Sequence, residues 1–414
     1  MTDHESPVHR TMSRRTALSL FGVVPVAAAG VWAASGATRA AVADPVPTDS
    51  PGPPDVHVGD VQKAMDVLAR ADGVVGALGE VYVDGRRVGH SASGSRLLRG
   101  EGGTPSSDAR FRLGSQTKAM VATTVLKLVA EGRLGVSDKL ATLLPEVARQ
   151  DMVEHADEIT VRNLIRHTSG IPDFIPSGWF DPFDFHTYHP PLDLIRASRT
   201  QPRDGNVGGF FYSTTNYILL GLIAERVTRR PLPEILAEKL FTPLGMTRTY
   251  LPTRPPQGIS GVHAHGYFPD ATGRLHDMDR INASTWAVQS AVSTCHDVSA
   301  FQRAFDLGTL LPADLQEILL HLGRPDDAPG APSGPPPAQG GQLPPAQGGQ
   351  LPPALCGNGP ALRPAAGSIP GLNAVTYSSP DGRIQFAVSV TLDVDNMAFH
   401  GEPVDQAAQA VLCA

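Results

Sequence analysis

Cysteine is nearly absent from this 414-residue chain, which has only Cys295, Cys356 and Cys413, so at most one disulfide can form within it. One bridge and one buried thiol is the economical arrangement for an oxidising compartment, and the spacing alone leaves three pairings open. No strict glycine period, heptad run or series of apolar spans occurs, which excludes collagen, coiled coil and multispan membrane protein. Long runs of one charge are missing too. With 34 basic and 41 acidic residues, net −7, the chain lacks the basic footprint of a nucleic-acid binder. Neither a nucleotide-phosphate loop nor a zinc signature is present, so no cofactor and no metal is expected.

Glycine and proline are plentiful: 42 and 38, or about 19% of the chain. That exceeds the roughly 12% of an ordinary protein and stays below the roughly 25% of low-complexity chains. The excess is local. Asp44 to Asp55 holds five prolines and one glycine, and Pro325 to Pro353 holds ten and six. The second stretch contains two identical octads, Pro336–Leu343 and Pro344–Leu351, each reading PPAQGGQL, with a third beginning at Pro352. Such a segment reads as a solvated loop, with a partner-docking proline stretch as the alternative.

The N-terminus reads as an export signal. Ser13-Arg14-Arg15-Thr16-Ala17-Leu18 is a twin-arginine pattern, the run Leu18 to Ala34 is apolar, and Ala41-Val42-Ala43 offers a cleavage triplet. Residues 1–43 are therefore expected to be removed from a secreted or extracytoplasmic protein, with cell-wall association as a further option and no stable membrane span left. An uncleaved anchor is the alternative. A Pro-rich linker over 44–58 follows, then a domain over 59–414.

Within that domain, Val61, Met65, Val67 and Leu68 are read as one apolar helix face. Val74 to Val83 and the run after Arg86, joined by Asp84-Gly85, read as a hairpin. A long helix is expected from about Ser115 to Glu131, and short helices through about 146–285. Further helices lie near Val298–Phe305 and Ala313–Leu322. Asn373–Tyr377 and Ile384–Leu392 form a second hairpin around Ser379-Pro380-Asp381-Gly382, and Glu402 to Leu412 closes as a helix. Strands at both ends with helices between them predict an α/β domain. Its mainly antiparallel sheet is built from both chain ends and flanked by helices, with an all-helical insert over about 146–285 and a repeat loop over about 325–354.

Ser115 and Lys118 form Ser-x-x-Lys at the start of the long helix. A serine hydroxyl needs an adjacent base to act as a nucleophile at neutral pH, and a residue three along a helix shares its face. Burial lowers a lysine's pKa, and the helix N-terminus favours a developing oxyanion. The pair alone is weak evidence, since 26 Ser and 5 Lys give about 0.3 such pairs by chance.

Its context is richer. Asp108 to Val147 (DARFRLGSQTKAMVATTVLKLVAEGRLGVSDKLATLLPEV) resembles the serine β-lactamase and D-alanyl-D-alanine peptidase family, in its class C-like branch. Ile159 to Pro172, Phe211 to Leu251 and Val292-Ser293-Thr294…Asp297…Phe301 resemble that family's next blocks in order, so the likeness covers most of 60–325 and resumes over 364–393. It implies a β-lactamase/transpeptidase-like fold and a catalytic set of Ser115, Lys118 and Tyr212. Tyr212 would take or return the Ser115 proton, with Lys118 as the cation. Tyr212-Ser213-Thr214 stands for Tyr-x-Asn, with Thr214 offering a hydroxyl in place of an amide. Gly367 and Ser368 match the tail of the third block, and the Ser368 and Ser115 N–H groups would form the oxyanion hole. Ala365 and Ala366, however, replace the polar pair that grips a substrate carboxylate. Arg363 is a candidate replacement cation, with an ordinary surface arginine as the plainer reading. The family's Gly-rich strand before this block is missing, overwritten by the repeats. Cys356 and Cys413 resemble the disulfide of some secreted relatives, leaving Cys295 free. His167-Thr168-Ser169-Gly170 is read as a structural turn, and His263-x-His265 as a loop, because no third ligand stands at metal-site spacing.

The resemblance implies an exported serine hydrolase like the D-alanyl-D-alanine carboxypeptidases, acting through a Ser115 acyl-enzyme on peptide, amide or ester bonds. Its partners would be a small molecule or a peptidoglycan-type peptide, with β-lactams as further ligands. The alternatives are an esterase or acyl-transferring relative, and a catalytically weakened penicillin-binding protein.

Overall fold

A computed structural model describes residues 56–322 except Phe180 and Asp204, together with 355–356, 362–395 and 402–413. The expected export signal, most of the linker and the repeat loop lie outside the described residues.

Asp84 and Gly85 make the first hairpin turn, both with positive φ, 49° and 78°. That is the two-residue turn whose twist matches its flanking strands. It joins β1 (Val74–Val83) to β2 (Arg86–Gly94). Four short strands follow: β3 (Phe111–Arg112), β4 (Tyr267–Pro269), β5 (Leu275–Asp277) and β6 (Val292–Ser293). The C-terminal part adds β7 (Arg363–Ile369), β8 (Leu372–Ser378) and β9 (Ile384–Leu392). These strands build one antiparallel sheet in the order β2-β1-β9-β8-β7, so the first hairpin docks on the last strand. The two hairpin turns are pinned together by Arg383, which donates to both carboxylate oxygens of Asp84 at 3.2 Å.

Alternation along the strands sends side chains to two cores. Phe386, Val388, Val390 and Leu392 of β9 face the helices Val61–Leu68 and Glu402–Leu412. Ala387, with Leu372 and Ala374 of β8, faces the helical body. Covering on both faces buries β8 and β9 along their whole length. In the first helix the buried face is Val61, Ala64, Met65 and Leu68, while Val67 is half exposed. The i, i+3, i+4, i+7 spacing explains the change, because Val67 lies off that stripe.

Buried helices Gln116–Ala130 and Thr215–Thr228 form the centre of the helical body. The stretch expected to be all-helical also carries the two-stranded β4–β5 ribbon. Asp270 nucleates its turn, accepting from the N–H groups of Thr272 (2.8 Å) and Arg274 (3.1 Å). Aspartate offers the backbone this local alternative to a helix. No helix among the described residues is long and apolar enough to cross a membrane.

Candidate active site

Ser115 occupies the N-cap position of the helix Gln116–Ala130, directly after β3. The chain enters this helix through Gly114, whose φ of 53° favours glycine. The entry presses against β7. A Cβ on Gly367 would lie 2.0 Å from the Leu113 oxygen and 2.7 Å from the Ser115 nitrogen, and one on Gly114 would lie 2.7 Å from the Ser368 nitrogen. Only two glycines permit this approach, and it sets the Ser115 and Ser368 backbones side by side. Gln116 fastens the junction: its amide donates to the Ala374 oxygen at 3.1 Å and accepts from Thr376 at 3.0 Å.

Lys118 is fully buried. Its Nζ lies 3.0 Å from the Ser115 Oγ, 3.0 Å from the Val288 carbonyl oxygen and 5.1 Å from the centre of the Tyr212 ring. Removal from water disfavours the ammonium and lowers the lysine pKa to about 7, while the nearby Asp173 charge works the other way. A buried lysine near 7 is divided between a donor and an acceptor form at neutral pH.

The Tyr212 hydroxyl lies 3.2 Å from the Ser115 Oγ. Burial raises its pKa above the ordinary phenol value, with the Ser115 hydrogen bond opposing the shift. The phenol therefore stays protonated at neutral pH. The His167 turn holds this segment in place. The Phe211 N–H donates to the His167 oxygen (2.8 Å) and the Ser213 N–H to its Nδ1 (3.1 Å), and the His167 and Tyr212 rings lie 4.5 Å apart. Burial, reinforced by the Lys118 charge, keeps the His167 pKa near 3, so the ring is neutral. With Nδ1 accepting, its proton sits on Nε2.

Thr214 begins the helix Thr215–Thr228, and both its N–H, at 3.0 Å, and its hydroxyl donate to Asp173 Oδ2. The hydroxyl proton that stood in for the family amide is thus committed to Asp173. Sequence reasoning missed Asp173, which lies 41 residues away from its partner and one residue beyond the block that carried the resemblance. It missed the Val288 carbonyl as well, since a backbone oxygen leaves no residue-type signal.

At the third block, β7 brings Gly367 and Ser368 to Ser115, with Ala365 and Ala366 on the same strand. Arg363 stands at the start of β7, two residues from Ala365. There its charge acts on Asp306, whose carboxyl burial lifts to about 6. Cys356 and Cys413 are joined by a disulfide, and Cys295 is a buried free thiol.

The His263–His265 pair gains a third group that the sequence did not display beside it. Asp279 folds back so that one ligating atom of each of the three lies within 4.8 Å of the others. The ground for reading the pair as a plain loop therefore falls away.

A family model described as Beta-lactamase matches residues 61–410. The chain belongs to the beta-lactamase family. Penicillin-binding protein 4 of Amycolatopsis lactamdurans is 34% identical over 187 residues, 45% of this chain and 47% of that protein. The chain spans less than half the length of the curated relatives it matches first. Among solved structures, a D-stereospecific amidohydrolase from Streptomyces superposes with a TM-score of 0.65 at 25% identity, covering 85% of this chain and 98% of that one. The D-amino acid amidase of Ochrobactrum anthropi shares the fold with a TM-score of 0.65 at 21% identity, over 84% and 96%. That family is one of serine hydrolases related to the serine β-lactamases and penicillin-binding proteins.

Proposed function

We propose that this beta-lactamase-family chain is an exported serine hydrolase that forms an acyl-enzyme at Ser115. The carrying observation is the fully buried Lys118, with its Nζ 3.0 Å from the Ser115 Oγ and its pKa lowered to about 7. In its neutral form Lys118 accepts the Ser115 proton as the oxygen attacks a carbonyl carbon. The oxyanion is met by the N–H groups of Ser115 and Ser368. As the tetrahedral intermediate collapses, the leaving group takes a proton from the Tyr212–Lys118 system, and water then releases the acyl group along the reverse route. The protonated phenol of Tyr212 suits it to donate, while Lys118 serves as base. This reverses the division of labour implied by the resemblance. The twin-arginine segment and the Cys356–Cys413 bridge support export.

The substrate is an amide, peptide or ester bond. Ala365-Ala366, which offer no polar side chain to a carboxylate, favour substrates without a terminal carboxylate over D-alanyl-D-alanine peptides. The amidohydrolase and amidase structures sharing this fold support the same preference.

An uncharged fluorescent fluorophosphonate followed by peptide mapping tests the nucleophile without calling on a carboxylate clamp: a label on Ser115 is expected, and its absence would sink the acyl-enzyme reading. A panel of p-nitrophenyl acetate, an amino-acid amide and a D-Ala-D-Ala peptide tests the substrate class. Turnover of the first two, lost in Ser115→Ala, is expected. Preferential turnover of the carboxylate-bearing peptide would restore the carboxypeptidase reading. No turnover of any of the three would favour a weakened penicillin-binding protein.

A further inference from the structure

His263 is buried, and its ring is fixed by a hydrogen bond from Nδ1 to the Gly261 oxygen at 2.7 Å. With Nδ1 donating, the neutral ring has a lone pair on Nε2, which faces the Asp279 Oδ1 at 2.7 Å. Two acceptors at that distance repel unless a proton or a cation lies between them. His265 stacks on His263, with ring centres 4.8 Å apart and planes 9° from parallel, so their in-plane lone pairs run side by side and the His265 ring must turn before both meet one ion. Its Nδ1 is engaged by Asp277 Oδ2 at 2.8 Å, which leaves Nε2 as its ligating atom. Both rings thus have one nitrogen held by an oxygen acceptor, the orienting contact that metal-bound histidines almost always make.

The carboxylate is prepared as well. The Asp279 N–H donates to Asp277 Oδ1 at 3.0 Å, and Gly258 leaves room for Oδ2, which a Cβ there would approach to 2.8 Å. Arg112 donates to the Asp279 carbonyl oxygen at 3.0 Å. Two imidazoles with one carboxylate suit a borderline ion rather than a hard cation that needs several carboxylates.

We propose that His263, His265 and Asp279 bind a divalent transition-metal ion of the zinc class. The ligands of a tetrahedral zinc lie roughly 3.3 Å apart. The three ligating atoms already lie within 4.8 Å of one another, and His265 and Asp279 are only partly buried, so a turn of the His265 ring with closure of up to about 1.5 Å forms the set. The ion fastens the loop carrying His263 and His265 to the end of the β4–β5 ribbon. Through the Asp279 carbonyl it also steadies Arg112, three residues before Ser115.

The test uses the full chain without an affinity tag, stripped with a chelator and dialysed. Zinc is titrated against a chromophoric chelator, and cobalt(II) is followed by visible absorption. One equivalent of zinc and a tetrahedral cobalt spectrum are expected. Binding should weaken at least about tenfold in His265→Ala and Asp279→Asn, and by about 10- to 100-fold in Asp277→Asn. The exposed His321→Ala should leave it unchanged. Absence of stoichiometric binding to the unsubstituted chain, or binding that survives both His265→Ala and Asp279→Asn, overturns the site and leaves histidine–aspartate ion pairs. Should Asp279→Asn fail to fold, His265→Ala decides alone.

Discussion

Lys118 carries the sharpest pH dependence at the scale of single residues. Burial lowers its pKa to about 7, so a Lys118 base is inactive as an ammonium at lower pH and active once neutral. Accordingly kcat/KM for an uncharged ester should rise with pH through about 7 and level off above it, because that ratio reports the free enzyme. Lys118→Arg should lose the rate and the limb together, since a guanidinium does not deprotonate in this range. A rate that falls as pH rises through 7 would instead make Lys118 the cation and return the base role to Tyr212. Nothing beside Ser115 in the sequence announces the shift. It comes from packing by residues remote in the chain, including the carbonyl oxygen of Val288.

At the scale of elements, the site is a junction between the helix Gln116–Ala130 and the edge strand β7. A methyl on Gly367 would sit 2.0 Å from the Leu113 oxygen, so backbone has to move. Gly367→Ala is expected to separate Ser368 from Ser115 and to slow acylation at least about 100-fold, the usual cost of displacement near 1 Å. Circular dichroism should change little, because β8 and β9 keep the sheet together. Acylation at the unsubstituted rate would show that β7 is not part of the oxyanion site. The same junction explains why the strand backbone can serve although Ala365 and Ala366 have replaced the polar side chains: the contact at Gly367 is backbone to backbone.

Across the whole molecule, the Cys356–Cys413 bridge ties the segment before β7 to the end of the helix Glu402–Leu412. It closes a loop with a sequence separation of 57, for which a constrained unfolded state supplies about 2–4 kcal/mol. The double variant Cys356→Ser/Cys413→Ser should melt several degrees lower while retaining turnover at moderate temperature, since Ser115, Lys118 and Tyr212 belong to the helical body. An unchanged melting midpoint would remove the bridge from the account of stability.

Much of the architecture was legible beforehand. Asp84-Gly85 requires a hairpin, the turn Ser379-Pro380-Asp381-Gly382 between Asn373–Tyr377 and Ile384–Leu392 marks a second, and Gly132 ends the helix begun at Ser115. The contact of Lys118 with Ser115 was legible too, because residues three apart on a helix share a face whatever surrounds them. Both kinds of inference are local, so the sequence alone determined them. What depends on distant parts of the chain was decided only by the tertiary structure. Asp173 takes the Thr214 hydroxyl, Gln116 fastens to Ala374 and Thr376, and Asp279 comes back to His263 and His265. Each pairing is set by how strands and helices dock, and burial then alters the chemistry of the groups brought together. A residue's identity can be read from its letter, but its charge state and its partners depend on the packing around it.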